Sequence, residues 1–355
     1  MNILFVNKRL DRIIVSTVTL LLAISCSENK EVDEILSSDV PISFSLTQNT
    51  WNEISSLTPN SDRYSQTRAE AVTNENLSRL YESFKVMSFP VGTVSNLYFE
   101  DYTYQQSETW KTYENHYWPL NASLDFYAYA PREINPSVSK KESSELSDIT
   151  FSYTVPKDPD GPNDATKQKD LIFAITREHG KTIGPVAGAV PLMFKHALSS
   201  IVFQTGDSFK GKIKSISLTN LYDAGICAYD GNSFTWSYGD NTRNETFIQN
   251  FDVPTFVDGK ENHEVTFYND NRGEKTFMLL PQQLGDNSMI QVEFELDNVA
   301  KDVFVLKAPL KTNTPNGIWQ SGKTYCYRLN ISLYEITITA HVTDWFVGNR
   351  THISF

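Results

Sequence analysis

Apolar residues in this chain recur at every second position, in short runs spread from one end to the other. In "PISFSL", Ile42, Phe44 and Leu46 share one face. The same reading fits "YESFKVMSF", "LDFYAYA", "DLIFAIT", "SSIVFQT", "SISLTNL", "TFMLLP", "MIQVEFEL", "VFVLKAP", "YCYRLNISL" and "EITITAHV". Successive side chains of a strand point to opposite faces, so each run reads as a half-buried β-strand. Turn clusters such as "PKDPDGPN" and "YDGN" separate the runs. Helical periodicity is nearly absent, with one short helical turn expected over residues 75–82. The 17 Tyr and 21 Phe suit strands as well. Many short strands at regular spacing predict an all-β chain built of β-sandwiches.

The chain of 355 residues is too long for one small core, so two domains are expected. The stretch "HGKTIGPVAGAVPL" is rich in Gly, Ala and Pro and carries no long strand. It places the boundary near residues 180–190, giving an N-terminal sandwich over 41–187 and a C-terminal one over 188–355.

The N-terminus reads differently. Lys8, Arg9 and Arg12 precede an apolar run from Ile13 to Ile24 that is broken only by Ser16, Thr17 and Thr19. A helix crossing a bilayer needs about 20 apolar residues. This run is shorter, and with its basic flank it describes a secretory signal over residues 1–25. Its end, Leu22-Ala23-Ile24-Ser25-Cys26, resembles a bacterial lipobox, in which the cysteine is acylated and becomes the first mature residue. Ala23 stands where leucine is commoner. The other reading is an ordinary cleaved signal with an incidental cysteine. Residues 26–40 are polar and charged without periodicity, which makes a tether; the acidic patch after Cys26 resembles a surface-sorting signal. A lipidated Cys26 would hold the protein on an outer membrane without spanning it.

Charge excludes some partners. The chain carries 31 basic and 43 acidic residues, net −12, and has no basic block. Nucleic-acid binding needs clustered Lys and Arg, so that class is set aside. Removing residues 1–25 makes the balance more acidic still.

Motifs for chemistry are missing. No HExxH, GxSxG, P-loop or strand-following GxGxxG occurs, so no cofactor is implied and no enzyme is expected. Asp158, Asp160, Asn163 and Asp164 offer oxygens of the kind that hold calcium, but without EF-hand spacing they read as a polar turn. His196 in "FKHALSS" reads as a structural histidine. Cys227 and Cys326 lie in strand-like runs; outside the cytoplasm they either pair as one disulfide or stay as two buried thiols. No CxxC spacing suggests a redox or zinc site.

Taken in order, "PISFSL", "QTRAEAV", "HYWPLNASLDFYAYAP", "DLIFAI", "PLMFKHALSSIVF", "MLLPQ", "IWQSGKTYCYRLNI" and "ITAHVTDW" resemble the fimbrillin-like (Mfa-like) pilins and pilus accessory lipoproteins of Gram-negative anaerobes. The resemblance covers nearly the whole mature chain. It implies two transthyretin-like β-sandwich domains in tandem, exported as a surface lipoprotein. It also implies assembly with other fimbrial subunits by strand exchange, in which an arginine- or lysine-specific protease cuts after the first strand. The strand bearing Ile42, Phe44 and Leu46 would then leave, and a neighbour's strand would fill the groove. Arg68, just after a polar connector over residues 47–67, stands where the resemblance places the processing site, with Arg63 nearby inside that connector. Either is otherwise a surface loop arginine.

At the other end Ile336, Ile338, Ala340 and Val342 form one apolar face, read as a closing strand or part of a donor. The segment after Trp345 is short for a donor, which counts against a shaft role and leaves tip, accessory and anchor roles open. Adhesion to a host or bacterial surface ligand is the expected end use. The alternative is a surface glycan-binding lipoprotein that stacks sugars on Trp110, Trp118, Trp236, Trp319, Tyr102, Tyr104 or Tyr113. Those aromatics otherwise fill cores and cross-strand pairs.

Overall fold

The computed structural model describes residues 37–47, 72–93, 96–140, 147–156, 163–164, 168–180, 188–205, 209–258, 277–296, 299, 303–332 and 334–345. Within them the chain is almost entirely β, as its alternation predicts. Numbered in chain order, the strands open with β1 (Ser37–Pro41), β2 (Ser43–Leu46), β3 (Lys85–Pro90), β4 (Phe99–Gln106), β5 (Thr109–Thr112), β6 (Tyr117–Pro119) and β7 (Leu124–Ala130). Next come β8 (Ser137–Lys140), β9 (Ser147–Thr154), β10 (Asn163–Asp164), β11 (Ile172–His179), β12 (Val190–Leu192) and β13 (Lys195–His196). Then follow β14 (Ser199–Thr205), β15 (Lys210–Leu221), β16 (Ala224–Tyr229), β17 (Phe234–Ser237) and β18 (Glu245–Asp258). The last are β19 (Phe277–Leu279), β20 (Met289–Leu296), β21 (Val303–Pro309), β22 (Lys323–Ile331) and β23 (Ile336–Asp344). One helix, α1 (Leu77–Tyr81), matches the turn expected over 75–82.

An eight-stranded sheet in the order β12-β2-β5-β4-β3-β7-β11-β13 dominates the N-terminal half. It curls on itself. Phe44 of β2 lies 5.7 Å from Phe126 of β7, ring centre to ring centre, although β5, β4 and β3 stand between them in the ladder. Thr176 Oγ1 of β11 donates to the Pro191 carbonyl of β12 at 2.5 Å, joining elements near its two ends. The trough inside holds Ile42, Phe44, Phe84, Trp110, Phe126 and Ile172 among its buried residues. Val72 and Leu77, which come from outside the sheet, help to fill it.

The central strands depart from the half-buried expectation. In "LDFYAYA" Phe126, Ala128 and Ala130 face the trough, whereas Tyr127 and Tyr129 belong to a second core on the other face. Val86 and Met87 of β3 divide in the same way, as do Ile172 and Phe173 of β11. A sheet covered on both faces loses its polar alternation. The cover is the sheet β17-β16-β9-β8, whose Phe151 stacks on Phe173 at 4.4 Å.

The C-terminal half holds a five-stranded sheet, β10-β18-β15-β20-β21, and a four-stranded one, β19-β14-β22-β23. Both supply the larger core, with Ile213, Leu218, Ile290, Phe294, Tyr325 and Leu329 among its buried residues. β15 shifts register against both neighbours between Ile213 and Ser215. The extra residue of this bulge resets the alternation, so Ile213 and Ile216, three apart, are both fully buried.

The split expected at 187/188 does not fall between sheets. β9, from before it, pairs with β16; β12 and β13, from after it, pair with β2 and β11.

Candidate functional site: the first-strand groove

"PISFSL" begins with a proline and then alternates apolar with serine, so a strand there must bury Ile42 and Phe44 and leave Ser43 and Ser45 outward. The structure does this: Ile42 is 2% exposed and Phe44 0%, while Leu46 is half-buried against the same cluster. β2 is not an edge strand. It pairs antiparallel with β5 (Ser43↔Lys111, Phe44↔Trp110) and parallel with β12 (Val190↔Phe44, Pro191↔Ser45, Leu192↔Leu46). At its ends the Ile42 N–H donates to the His116 carbonyl at 2.7 Å, and the Thr47 N–H to the Leu192 carbonyl at 2.9 Å. Ahead of it β1 runs antiparallel to β6.

Both ladders of β2 are short, but the apolar anchoring is strong. Phe44 packs edge-to-face on Phe84 and Phe126, at 6.2 and 5.7 Å. Full burial of such a side chain contributes about 1.5–3 kcal/mol. Without β2, the facing edges of β5 and β12 would present unpaired backbone groups above a trough walled by Phe84, Trp110 and Leu192.

The chain is pinned again where it re-enters the fold. The Val72 N–H donates to Asp170 Oδ2 at 2.9 Å, and the Tyr81 hydroxyl donates to the Asp170 carbonyl at 2.6 Å. Burial pushes the Tyr81 phenol well above its usual range, which keeps it protonated as that donor. His196 Nδ1 lies 2.8 Å from the same Asp170 oxygen, and both side chains are fully buried. The His196 ring stacks on Trp345 at 4.0 Å. His196 therefore has the structural place expected of it, and Asp170 joins the return at Val72 to β13 and, through the stacked His196, to Trp345 beyond β23.

Cys26, Arg63, Arg68, Asp158 and Asp160 lie outside the described residues. Asn163 and Asp164 form β10, parallel to β18. Among the described residues no group of His, Cys, Asp or Glu is arranged to hold a metal. No helix among them is long and apolar enough to cross a membrane.

Cys227 and Cys326 are both buried, on strands of different sheets, and no disulfide joins them. Burial pushes the Cys227 thiol far up, which keeps it protonated and inert. β23 pairs with β22 from Ile336↔Ile331 to Lys323↔Asp344 and closes its sheet. Its Ile336 and Ile338 are buried, and Ala340 and Val342 pack against the core.

The aromatic candidates sort into classes. Trp110, Trp118 and Trp319 are core residues, and Trp236 is partly buried. Tyr113 is 67% exposed, with its ring 5.3 Å from that of Tyr104. Tyr102, 38% exposed, stands beside Lys85 and Arg132.

Sequence reasoning missed Asp170, Val72 and β12. A three-residue strand is too short to show a period, and a lone aspartate before "LIFAIT" looks like a turn residue. The apolar flanks of Val190-Pro191-Leu192 were the only signal for β12.

A sequence model described as fimbrillin-like matches residues 67–345. Among solved structures, a fimbrial protein from Bacteroides vulgatus is similar at TM-score 0.51 and 13% identity, over 79% of this chain and 100% of that one. A putative cell adhesion protein from Bacteroides ovatus is similar at TM-score 0.50 and 14% identity, over 87% of this chain and 99% of that one. At these identities the two likenesses speak for a shared β-sandwich fold. No curated protein matches significantly. The family match spans most of the chain, and the fold agrees with it: the chain belongs to the fimbrillin-like family of structural fimbrial proteins of the cell surface.

Proposed function

We propose that this protein is a fimbrial subunit whose first strand is a removable occupant of the groove between β5 and β12. The observation that carries the reading is the placement of β2. It is an interior strand by pairing, held by two registered pairs on one side and three on the other, and it precedes a polar connector that bears Arg63 and leads into Arg68. Cleavage in that connector would release β1 and β2 as one piece, while Val72 stays fastened to Asp170. The vacated groove offers ladder partners on both sides and pockets for alternate apolar side chains, which is what an extended segment of another subunit needs.

In this reading Cys26 carries a lipid that holds the precursor on the outer membrane. An arginine-specific protease detaches it, unless the subunit serves as an uncut anchor. Adhesion to a host or bacterial surface is the end use. In this reading β23, which pairs along β22, serves as the closing strand of its own sheet.

The test is brief digestion of the chain from Ser27 onward with an arginine-specific protease, read by N-terminal sequencing and an unheated detergent gel. A new terminus at Ala69 or Tyr64 with a ladder of detergent-resistant oligomers is expected of a self-polymerising subunit. Cleavage without a ladder marks a tip or accessory protein that needs a partner's strand. Resistance at both arginines removes processing from the account.

A further inference from the structure

A cleft of about 630 Å³ opens beside β17, within the roughly 300–1,000 Å³ typical of ligand sites. Phe234 and Trp236 stand on one face of β17, and Tyr238 continues the row two residues on. Alternate strand residues are about 7 Å apart, so the three half-buried rings form a stepped aromatic wall. Trp319 and Trp345 line the same cleft.

The wall is held in place. Trp236 Nε1 donates to the Ala197 carbonyl at 3.1 Å, and the Tyr238 hydroxyl donates to the Pro281 carbonyl. Tyr222 stacks on Tyr238 at 4.2 Å, with the Arg243 guanidinium 4.7 Å above Tyr222. The Trp345 N–H donates to the Gly322 carbonyl at 2.8 Å while its ring lies on His196. Rings fixed in this way lose little freedom when a ligand stacks on them.

Charge and polarity narrow the ligand. Lys323 pairs with Asp344, and Lys195 Nζ donates to the Asn232 carbonyl at 2.9 Å. Nothing in the lining gathers charge of one sign. Gln320 and Ser321 add hydrogen-bonding groups at the rim. A purely apolar ligand would leave such groups unpaired, which is costly. An uncharged molecule with apolar C–H faces and many hydroxyls meets both requirements.

We infer that the Phe234–Trp236–Tyr238 cleft binds a neutral oligosaccharide. No residue of β2, β5 or β12 lines it, so the inference stands apart from strand exchange.

The test is calorimetric titration of the uncut chain from Ser27 with maltohexaose, mannohexaose and chitohexaose at millimolar concentration. Saturable binding of at least one is expected. Gln320→Ala, at an exposed position, should weaken it about two- to tenfold, as loss of one hydrogen bond does. Trp236→Phe, which keeps an aromatic ring, should weaken it further, and its lost bond to the Ala197 carbonyl should lower the unfolding temperature as well. Absence of binding to all three sugars overturns the inference, as does undiminished binding in both variants. A detergent-resistant ladder that the variants weaken, with no sugar bound by the parent chain, would make the cleft a subunit-docking surface and also overturn it.

Discussion

β2 and β23 look alike as sequence: each alternates apolar residues on one face with polar ones on the other, serines in β2 and three threonines with His341 in β23. The structure holds them in opposite ways. β23 runs along a single neighbour, matched from Ile336 to Asp344. β2 sits between two neighbours, with its ladder hydrogen bonds divided between β5 and β12. An edge strand with one long ladder peels only from an end, and its removal strips the core it covers. An interior strand with two short ladders leaves, if it is removed, a slot bounded by backbone groups on both sides. The contrast separates a strand that completes a sheet from one that occupies it.

The largest expected effect comes from deleting each strand in turn. A chain starting at Ala69 should remain folded and bind a hydrophobic dye in its open groove, whereas a chain ending at Glu335 should fail to fold. Circular dichroism and dye fluorescence read both, and the reverse pattern would undo the contrast.

Asp170→Ala should follow, at about 3–5 kcal/mol lost in denaturant unfolding, because it leaves His196 and the Val72 N–H without their buried partner. Asp170→Asn, which keeps an acceptor for Val72, should lose less. Phe44→Ala should lose about 3–5 kcal/mol in the uncut chain. In a chain already cut and stripped of β2 it can have no effect, since the residue has gone. Ile338→Ala should lose about 2–5 kcal/mol whether or not the chain is cut. That pair of measurements is the direct comparison of the two strands.

The smallest effect is at the surface. Tyr113→Ala should change stability by no more than about 0.5 kcal/mol, as its ring is mostly in solvent. The thiols offer a separate check on the core. In a chain from Ser27, Cys227 and Cys326 should both react with a thiol reagent after unfolding and neither before it.

Much of this was legible in the residues. The inward set Ile42 and Phe44, the strand at Ile336–Asp344, the structural role of His196 and the scarcity of helix all follow from local pattern. The curled sheet was not legible, because curling shows in a contact such as Phe44 on Phe126, which no local period encodes. Nor was the burial of both faces in β3, β7 and β11. Tyr127 and Tyr129 look like the outer face of a half-buried strand until β9 and β16 are laid over them. The boundary at 187/188 fell in a Gly- and Pro-rich stretch, yet β12 emerges from it to complete the groove.

Period two is a property of the pleat and needs only neighbours in the chain, so the sequence alone decided that strands form and which side chains of each share a face. Pairing is decided by contacts between residues remote in the chain. Only the tertiary structure could set β2 between Trp110 and Val190, and so give an ordinary amphipathic strand partners on both sides.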